Sequence, residues 1–193
     1  MPRISEPTVA KHRAVQHRAV LAAAERLIVD GEGQMPTITD VAAEVGLARS
    51  SIYLYATSRT DLLIQLLIMA IDEWITELSD LMSNAGDDPG DRLAVYVDAT
   101  LRLFLGGSHG PLITAAQQYP EAYADERVQA SHAEMEPTLH KLLGGISPAS
   151  LPLIDAAIQR GAELVAHSEA DLEAVSRMLQ RMARASLDEE PEG

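Results

Sequence analysis

Apolar residues return every three or four positions along almost the whole chain, and no run alternates apolar with polar residues over the length of a strand. That period is helical, because 3.6 residues complete a helical turn whereas a β-strand repeats every two. Val20, Ala24, Leu27 and Ile28 stand at i, i+4, i+7 and i+8, and "DGEG" closes their helix. Ile38, Val41, Ala42 and Val45 mark a short second helix, and a third is expected from Ala48 to Tyr55. A long helix follows from Arg59 to Met82. Beyond the turn-forming run "SNAGDDPGD", the spacing predicts helices over 90–105, 111–118, 120–143 with a break near Pro137, 149–167 and 169–187. The expected fold is all-α, in two parts: residues 1–58 and 59–187, with an acidic tail over 188–193 expected to be disordered.

Composition narrows the chemistry. The absence of cysteine excludes disulfides, thiolate catalysis and sulfur-ligated zinc. The greasiest run, "LLIQLLIMAI" from Leu62 to Ile71, is about half a membrane span and is closed off by Asp61, Asp72 and Glu73, so it reads as a buried helix. No apolar leader precedes it, and a cytoplasmic protein without a membrane partner is expected. The formal charge is −14, but it is unevenly spread: residues 1–60 hold 7 Lys and Arg against 6 Asp and Glu, and residues 61–193 hold 8 against 23. An acidic chain that keeps its first third near neutral, with Lys11, Arg13 and Arg18 near the start, avoids self-repulsion where a polyanion would sit.

The stretch "TITDVAAEVGLARSSIYLYATSRTDLL" (37–63) concentrates the functional signal. Thr37 is placed to cap the second helix, with Asp40 three residues on as the reciprocal acid. Gly46 ends that helix after two turns at the position where a left-handed residue is favoured. A two-turn helix, a tight turn and another short helix make a helix-turn-helix over about 36–55. Leu47, Ile52 and Ala56 fall on its inner side, which leaves Arg49, Ser50, Ser51, Tyr53 and Tyr55 toward solvent. Such a helix fits the major groove of DNA, where arginine bonds guanine O6 and N7 and serine bonds either base type. Threonines and an arginine at helix starts suit phosphate oxygens.

These residues also resemble the N-terminal signature of tetracycline-repressor-type (TetR-family) regulators. The shared order is a Thr-led helix, a Gly turn, a short helix ending in Tyr-x-Tyr, then a small residue, a basic residue and Leu-Leu. The resemblance covers about 45 residues, and the rest of the chain agrees in length and helix count. It implies groove contacts from Thr39, Arg49, Ser50, Ser51 and Tyr53, and backbone contacts from Thr37, Tyr55 and Arg59. It implies a helical C-terminal domain that binds a small, mainly apolar effector and dimerises. It also implies a homodimeric repressor on a palindromic operator, with an activator or partner-regulated factor as the alternative; no catalytic role and no cofactor are expected. The chain departs from the pattern at Ala56 and Ile28, smaller than the aromatic residues usual there. It departs also at Leu54, where a polar or aromatic residue is frequent, and at Ala48, where a serine cap worth about 1 kcal/mol is common.

The remaining aromatics are few. Met69, Trp74, Tyr96, Phe104, His109, Gln117, Tyr119 and Tyr123 are the candidates for an apolar effector cavity with a few polar groups. Ile154, Ile158, Gly161 and Val165, with Val175, Leu179 and Met182, form matched stripes on the last two helices, and two such helices per chain suit a four-helix dimer interface. "GGSHG" (106–110) fits the letters of a hydrolase nucleophile elbow around Ser108, but an elbow needs a strand before it, and "RLAVYVDATLRLFL" has helical spacing. His132, Glu136 and His140 share a helical face and are read as a salt-bridge ladder rather than metal ligands.

Overall fold

The computed structural model describes residues 6–144, 146–147 and 149–187. The tail expected to be disordered, 188–193, lies outside the described residues. Ten helices and no strand are found among them: α1 (Glu6–Asp30), α2 (Ile38–Val45), α3 (Arg49–Ile52), α4 (Arg59–Met82), α5 (Pro89–Leu105), α6 (His109–Gln118), α7 (Pro120–Tyr123), α8 (Glu126–Leu143), α9 (Ser150–Ala166) and α10 (Leu172–Ala185). None is long and apolar enough to cross a membrane. They fall into two compact units, one running to Met69 and including Pro111–Gln129, the other comprising Ala70–Gly110 and the chain from Ala130 onward.

In the first unit, α1, α2 and α3 bury Val20, Ala24, Ile28, Val41, Ala42 and Ile52. The start of α4 adds Leu62, Leu63 and Leu66, and Leu112, Ala115, Ala122 and Val128 come from the later segment. The capping box at Thr37 is complete: Thr37 Oγ1 accepts from the Asp40 amide at 3.2 Å, and Asp40 Oδ2 accepts from the Thr37 amide at 2.9 Å. The Thr37 hydroxyl also donates to Asp40 Oδ2 at 2.7 Å, and this bond, ahead of the one from the Thr37 amide, holds the Asp40 carboxyl below its ordinary pKa. At the other end of α2, Gly46 adopts φ 68° and ψ 31°. The amides of Gly46 and Leu47 turn back onto the carbonyls of Ala43 and Ala42, which gives α2 a double-bonded C-terminal lock.

Two helices differ from expectation. The third stops at Ile52 rather than Tyr55. Ala48 offers no side-chain cap, and Leu54 and Tyr55 close onto Ser51 and Ile52 by tighter i→i+3 bonds. The stretch 120–143 is two helices, and the break lies at Ala124–Asp125 instead of Pro137. Asp125 Oδ1 accepts from the Arg127 amide at 3.0 Å and so starts a new helix, whereas Pro137 is carried inside α8. A proline there removes only the bond to the carbonyl four residues back, at Ala133, which is exposed to water.

The second unit packs α9 and α10 against each other and against α5, around Leu93, Val97, Leu101, Leu151, Ile158 and Leu179. Gly161 lets α9 and α10 approach within the chain: a Cβ there would sit 2.8 Å from Val175 Cγ1 and 3.0 Å from Leu179 Cδ1. A polar pair joins α5 and α9 in this core, where the buried Tyr96 hydroxyl donates to Asp155 Oδ1 at 2.5 Å. Burial raises the Asp155 carboxyl above its ordinary value, and the bond from Tyr96 opposes that only in part. Burial and the Asp155 carboxylate also raise the Tyr96 hydroxyl.

Two outcomes follow. The folded state holds the Asp155 proton more tightly than the unfolded chain, so the contribution of this group to stability falls as pH rises from about 3.8, the unfolded value, through the raised folded value, and is level above it. Asp155→Asn, whose oxygen still accepts from Tyr96, should therefore gain in melting temperature over the parent across that window; thermal melts at stepped pH read it. In the first unit, Thr37→Ala should cost about 1 kcal/mol and Gly46→Val about 1–2 kcal/mol for the left-handed backbone, measured by urea denaturation.

Candidate nucleic-acid interface

The helix-turn-helix presents its polar residues outward. Thr39 is exposed on α2, and Arg49 and Ser50 are exposed at the start of α3, with Ser51 half-buried. Tyr53 is 45% and Leu54 63% exposed, a large apolar surface for a tip that meets only water. Arg49 Nη2 lies 3.4 Å from the Tyr53 hydroxyl, so the two side chains share one edge of the short helix. Ile52 and Ala56 are buried beneath them, as the inner side of the turn requires, and Leu47 is half-buried.

Support for this edge comes from distant parts of the chain. Arg13 Nη2 donates to the Leu54 carbonyl at 3.1 Å, satisfying a backbone acceptor in the turn just beyond α3. Tyr55 is half-buried and stacks on His17, ring centroids 5.9 Å apart. Gln65 joins these elements, because its Oε1 lies 2.6 Å from His17 Nε2 and its Nε2 donates to the Tyr55 carbonyl at 3.1 Å. Arg13, His17 and Gln65 carry no local spacing signal, since each acts at a sequence distance of 10 to 48 residues. Reading the sequence alone found Arg13 only as a positive charge.

Thr37 remains exposed, but its hydroxyl is engaged in the capping box. Arg59 departs further from the expected backbone contact, since it is turned inward and half-buried. Its Nε donates to the Pro36 carbonyl at 2.9 Å and its Nη2 to the Met35 carbonyl at 2.5 Å. Its guanidinium carbon lies 5.6 Å from the centre of the Tyr119 ring.

The expected effector residues are divided between the units. Met69, Gln117, Tyr119 and Tyr123 belong to the first, where Gln117 is exposed and Tyr123 is 52% exposed. Trp74, Tyr96, Phe104 and His109 belong to the second. Trp74 and Tyr96 share its core cluster, and Phe104 meets His109 edge-on at 5.7 Å. Burial holds the His109 imidazole below its ordinary pKa, which favours the neutral ring. A groove of about 700 Å³ in this unit is lined by other residues, among them Glu77, Leu81, Val95, Asp98 and Leu103. Ser108 and His109 follow the helix α5, not a strand, so the hydrolase alternative lacks its scaffold. His140 Nε2 lies 3.9 Å from Glu136, one rung of the ladder expected on α8.

The expected dimer stripe needs correction. Ile154, Ile158, Gly161 and Leu179 are buried in the unit's own core, and Val165 and Val175 are half-buried, because α9 and α10 turn their matched faces toward each other and α5. Only Met182 of the seven is exposed, at 54%; the other large apolar residues outside on this helix pair are Leu153 at 72% and Met178 at 56%.

No protein-family model matches the chain, and no curated protein matches it. Solved structures do. A TetR family transcription regulator from Marinobacter aquaeolei VT8 superposes with a TM-score of 0.66 at 19% identity, over 92% of this chain and 97% of that one. The TetR-like transcriptional regulator LfrR from Mycobacterium smegmatis, in complex with proflavine, gives 0.64 at 21% identity over 91% and 98%. The transcriptional regulator FadR from Bacillus subtilis, in complex with stearoyl-CoA, gives 0.62 at 16% identity over 88% and 98%. Nearly the full length of each is matched, so this chain has the fold of the TetR-type transcriptional regulators.

Proposed function

We propose that this chain is a DNA-binding transcriptional regulator: a cytoplasmic, homodimeric repressor that leaves a palindromic operator when a small, mainly apolar effector binds. The observation that carries the reading is the outward edge of the helix-turn-helix. Arg49, Ser50 and Tyr53 stand there beside Thr39, above a buried Ile52, in the part of the chain where positive and negative side chains nearly balance. On the acidic remainder, DNA is repelled; on this edge it is not. In domain terms, 1–58 reads DNA, with Thr39, Arg49, Ser50, Ser51 and Tyr53 toward the groove and Thr37 and Tyr55 toward the backbone. Residues 59–187 bind effector and partner.

LfrR holds proflavine and FadR holds stearoyl-CoA, each with a large apolar part, which supports an effector of that character here, near Trp74, Tyr96 and Phe104. For the partner, Leu153, Met178 and Met182 support a two-fold contact through the outer faces of α9 and α10. Leu153 and Met182 line a groove of about 330 Å³ with Ile154, Ala157 and Leu179, and exposed methionines and leucines on adjacent helices are what a symmetric partner covers.

Sedimentation should give a dimer near twice 20.8 kDa, and Met178→Glu with Met182→Glu should give a folded monomer. A duplex selected by the protein from a randomised pool should carry half-sites about 10 bp apart. Arg49→Ala should weaken binding to it by about 1–3 kcal/mol and relax preference at one base pair, read by anisotropy titration. No DNA binding at low salt would remove the regulator reading.

A further inference from the structure

The carbonyls that Arg59 grips belong to the two residues directly before Thr37, whose amide and hydroxyl begin α2. Their position therefore sets where the helix-turn-helix starts. A guanidinium is a planar fork, and two donors on neighbouring carbonyls fix its plane as an ammonium would not. The ring of Tyr119, between α6 and α7, backs that fork as a cation–π partner.

The same stretch touches the helix-turn-helix on both sides. At its entry, Gly33 has φ 92° and so little room that a Cβ would lie 2.6 Å from Thr114 and 3.0 Å from the Pro111 carbonyl. Gln118 Nε2 donates to the Gly33 carbonyl at 3.3 Å. At its exit, Arg127 Nη1 bonds Asp61 Oδ1 at 2.8 Å, while Asp61 Oδ2 accepts from the Thr57 amide at 2.9 Å. Burial pushes the Asp61 carboxyl up, but the Thr57 amide and Arg127 outweigh it and hold it below its ordinary value. Entry and exit are thus both held from residues 111–127.

We propose that Arg59 is a positioning residue and not a phosphate anchor: with Tyr119 it forms a clamp through which residues 111–127 set the placement of α2 and α3. Displacing that segment opens the fork and lowers DNA affinity without removing a charge from the DNA-facing edge. This rests on the DNA-binding reading, and its test has one arm that does not.

The full-length protein and its Tyr119→Ala, Tyr119→Phe, Arg59→Ala and Arg59→Lys variants are titrated with the pool-selected duplex and with a mixed-sequence duplex of equal length, at several KCl concentrations. Amide hydrogen exchange is followed without DNA, and circular dichroism checks that each variant is folded. Tyr119→Ala, Arg59→Ala and Arg59→Lys should each lower affinity for the selected duplex by about tenfold with the parent's salt slope, whereas Tyr119→Phe, which keeps the ring, should match the parent. Tyr119→Ala with Arg59→Ala should be no worse than either alone, as for two parts of one unit. Amides of α2 should exchange faster in each clamp variant. A salt slope lowered by about one unit in Arg59→Ala, with Arg59→Lys and Tyr119→Ala like the parent, would overturn the proposal and make Arg59 a phosphate contact. Unchanged exchange of α2 in Tyr119→Ala would overturn it independently. If the parent binds neither duplex, the DNA reading fails, and the exchange arm still decides whether Tyr119 and Arg59 hold α2.

Discussion

One guanidinium joined to two successive carbonyls governs the geometry of the helix-turn-helix. Backbone acceptors at the ends of short segments need donors, and water or a side chain must supply them. Here Arg59 supplies Met35 and Pro36, Arg13 supplies Leu54, and Gln65 supplies Tyr55. Beneath them Ile28, Val41, Ile52 and the small Ala56 are buried. The edge that carries Arg49 and Tyr53 is therefore located as much by polar ties as by packing. Polar ties are directional, so they fix orientation where a small core fixes only proximity.

What was legible in the sequence was what acts locally. The capping box of Thr37 and Asp40 spans three residues, and the left-handed turn at Gly46 concerns one, so spacing alone revealed both. The inward Ile52 and the outward Arg49 follow from the same short-range period. The end of α3 did not, because the missing cap at Ala48 was visible but the tighter bonds that replace the last helical turn were not. The split at Asp125 was missed because Pro137 is the louder signal, although an exposed carbonyl makes a proline in α8 tolerable. The inward turn of Arg59 was not legible for the opposite reason: nothing near it in sequence announces Tyr119, which lies 60 residues further on.

The second unit shows the limit of a stripe. Ile154, Ile158 and Leu179 have the spacing of an interface, yet spacing cannot say whether the partner helix is in the same chain or another. Gly161 settles it within this chain, because α10 comes too close to α9 to leave that face open. What remains outside is Leu153, Met178 and Met182, long flexible side chains that adapt to a surface rather than key into it. The bond from the buried Tyr96 to the half-buried Asp155 sets this core apart, since no ion pair to that carboxyl is found among the described residues and an unpaired carboxyl is an uncommon choice for pure stability.

On the DNA-binding reading proposed above, the four-residue length of α3 bears on how the target would be changed. A helix of one turn has no stability as a peptide, and the carbonyl of Leu54, two residues past its end, is held by Arg13, which precedes it by 41 residues. The recognition element is thus not a cassette. Moving 48–55 into another scaffold would move the side chains that read without the arginine and glutamine that aim them, and the transplanted letters would lose their grammar. On that reading, new specificity is more readily reached by exchanging single outward side chains than by exchanging the helix.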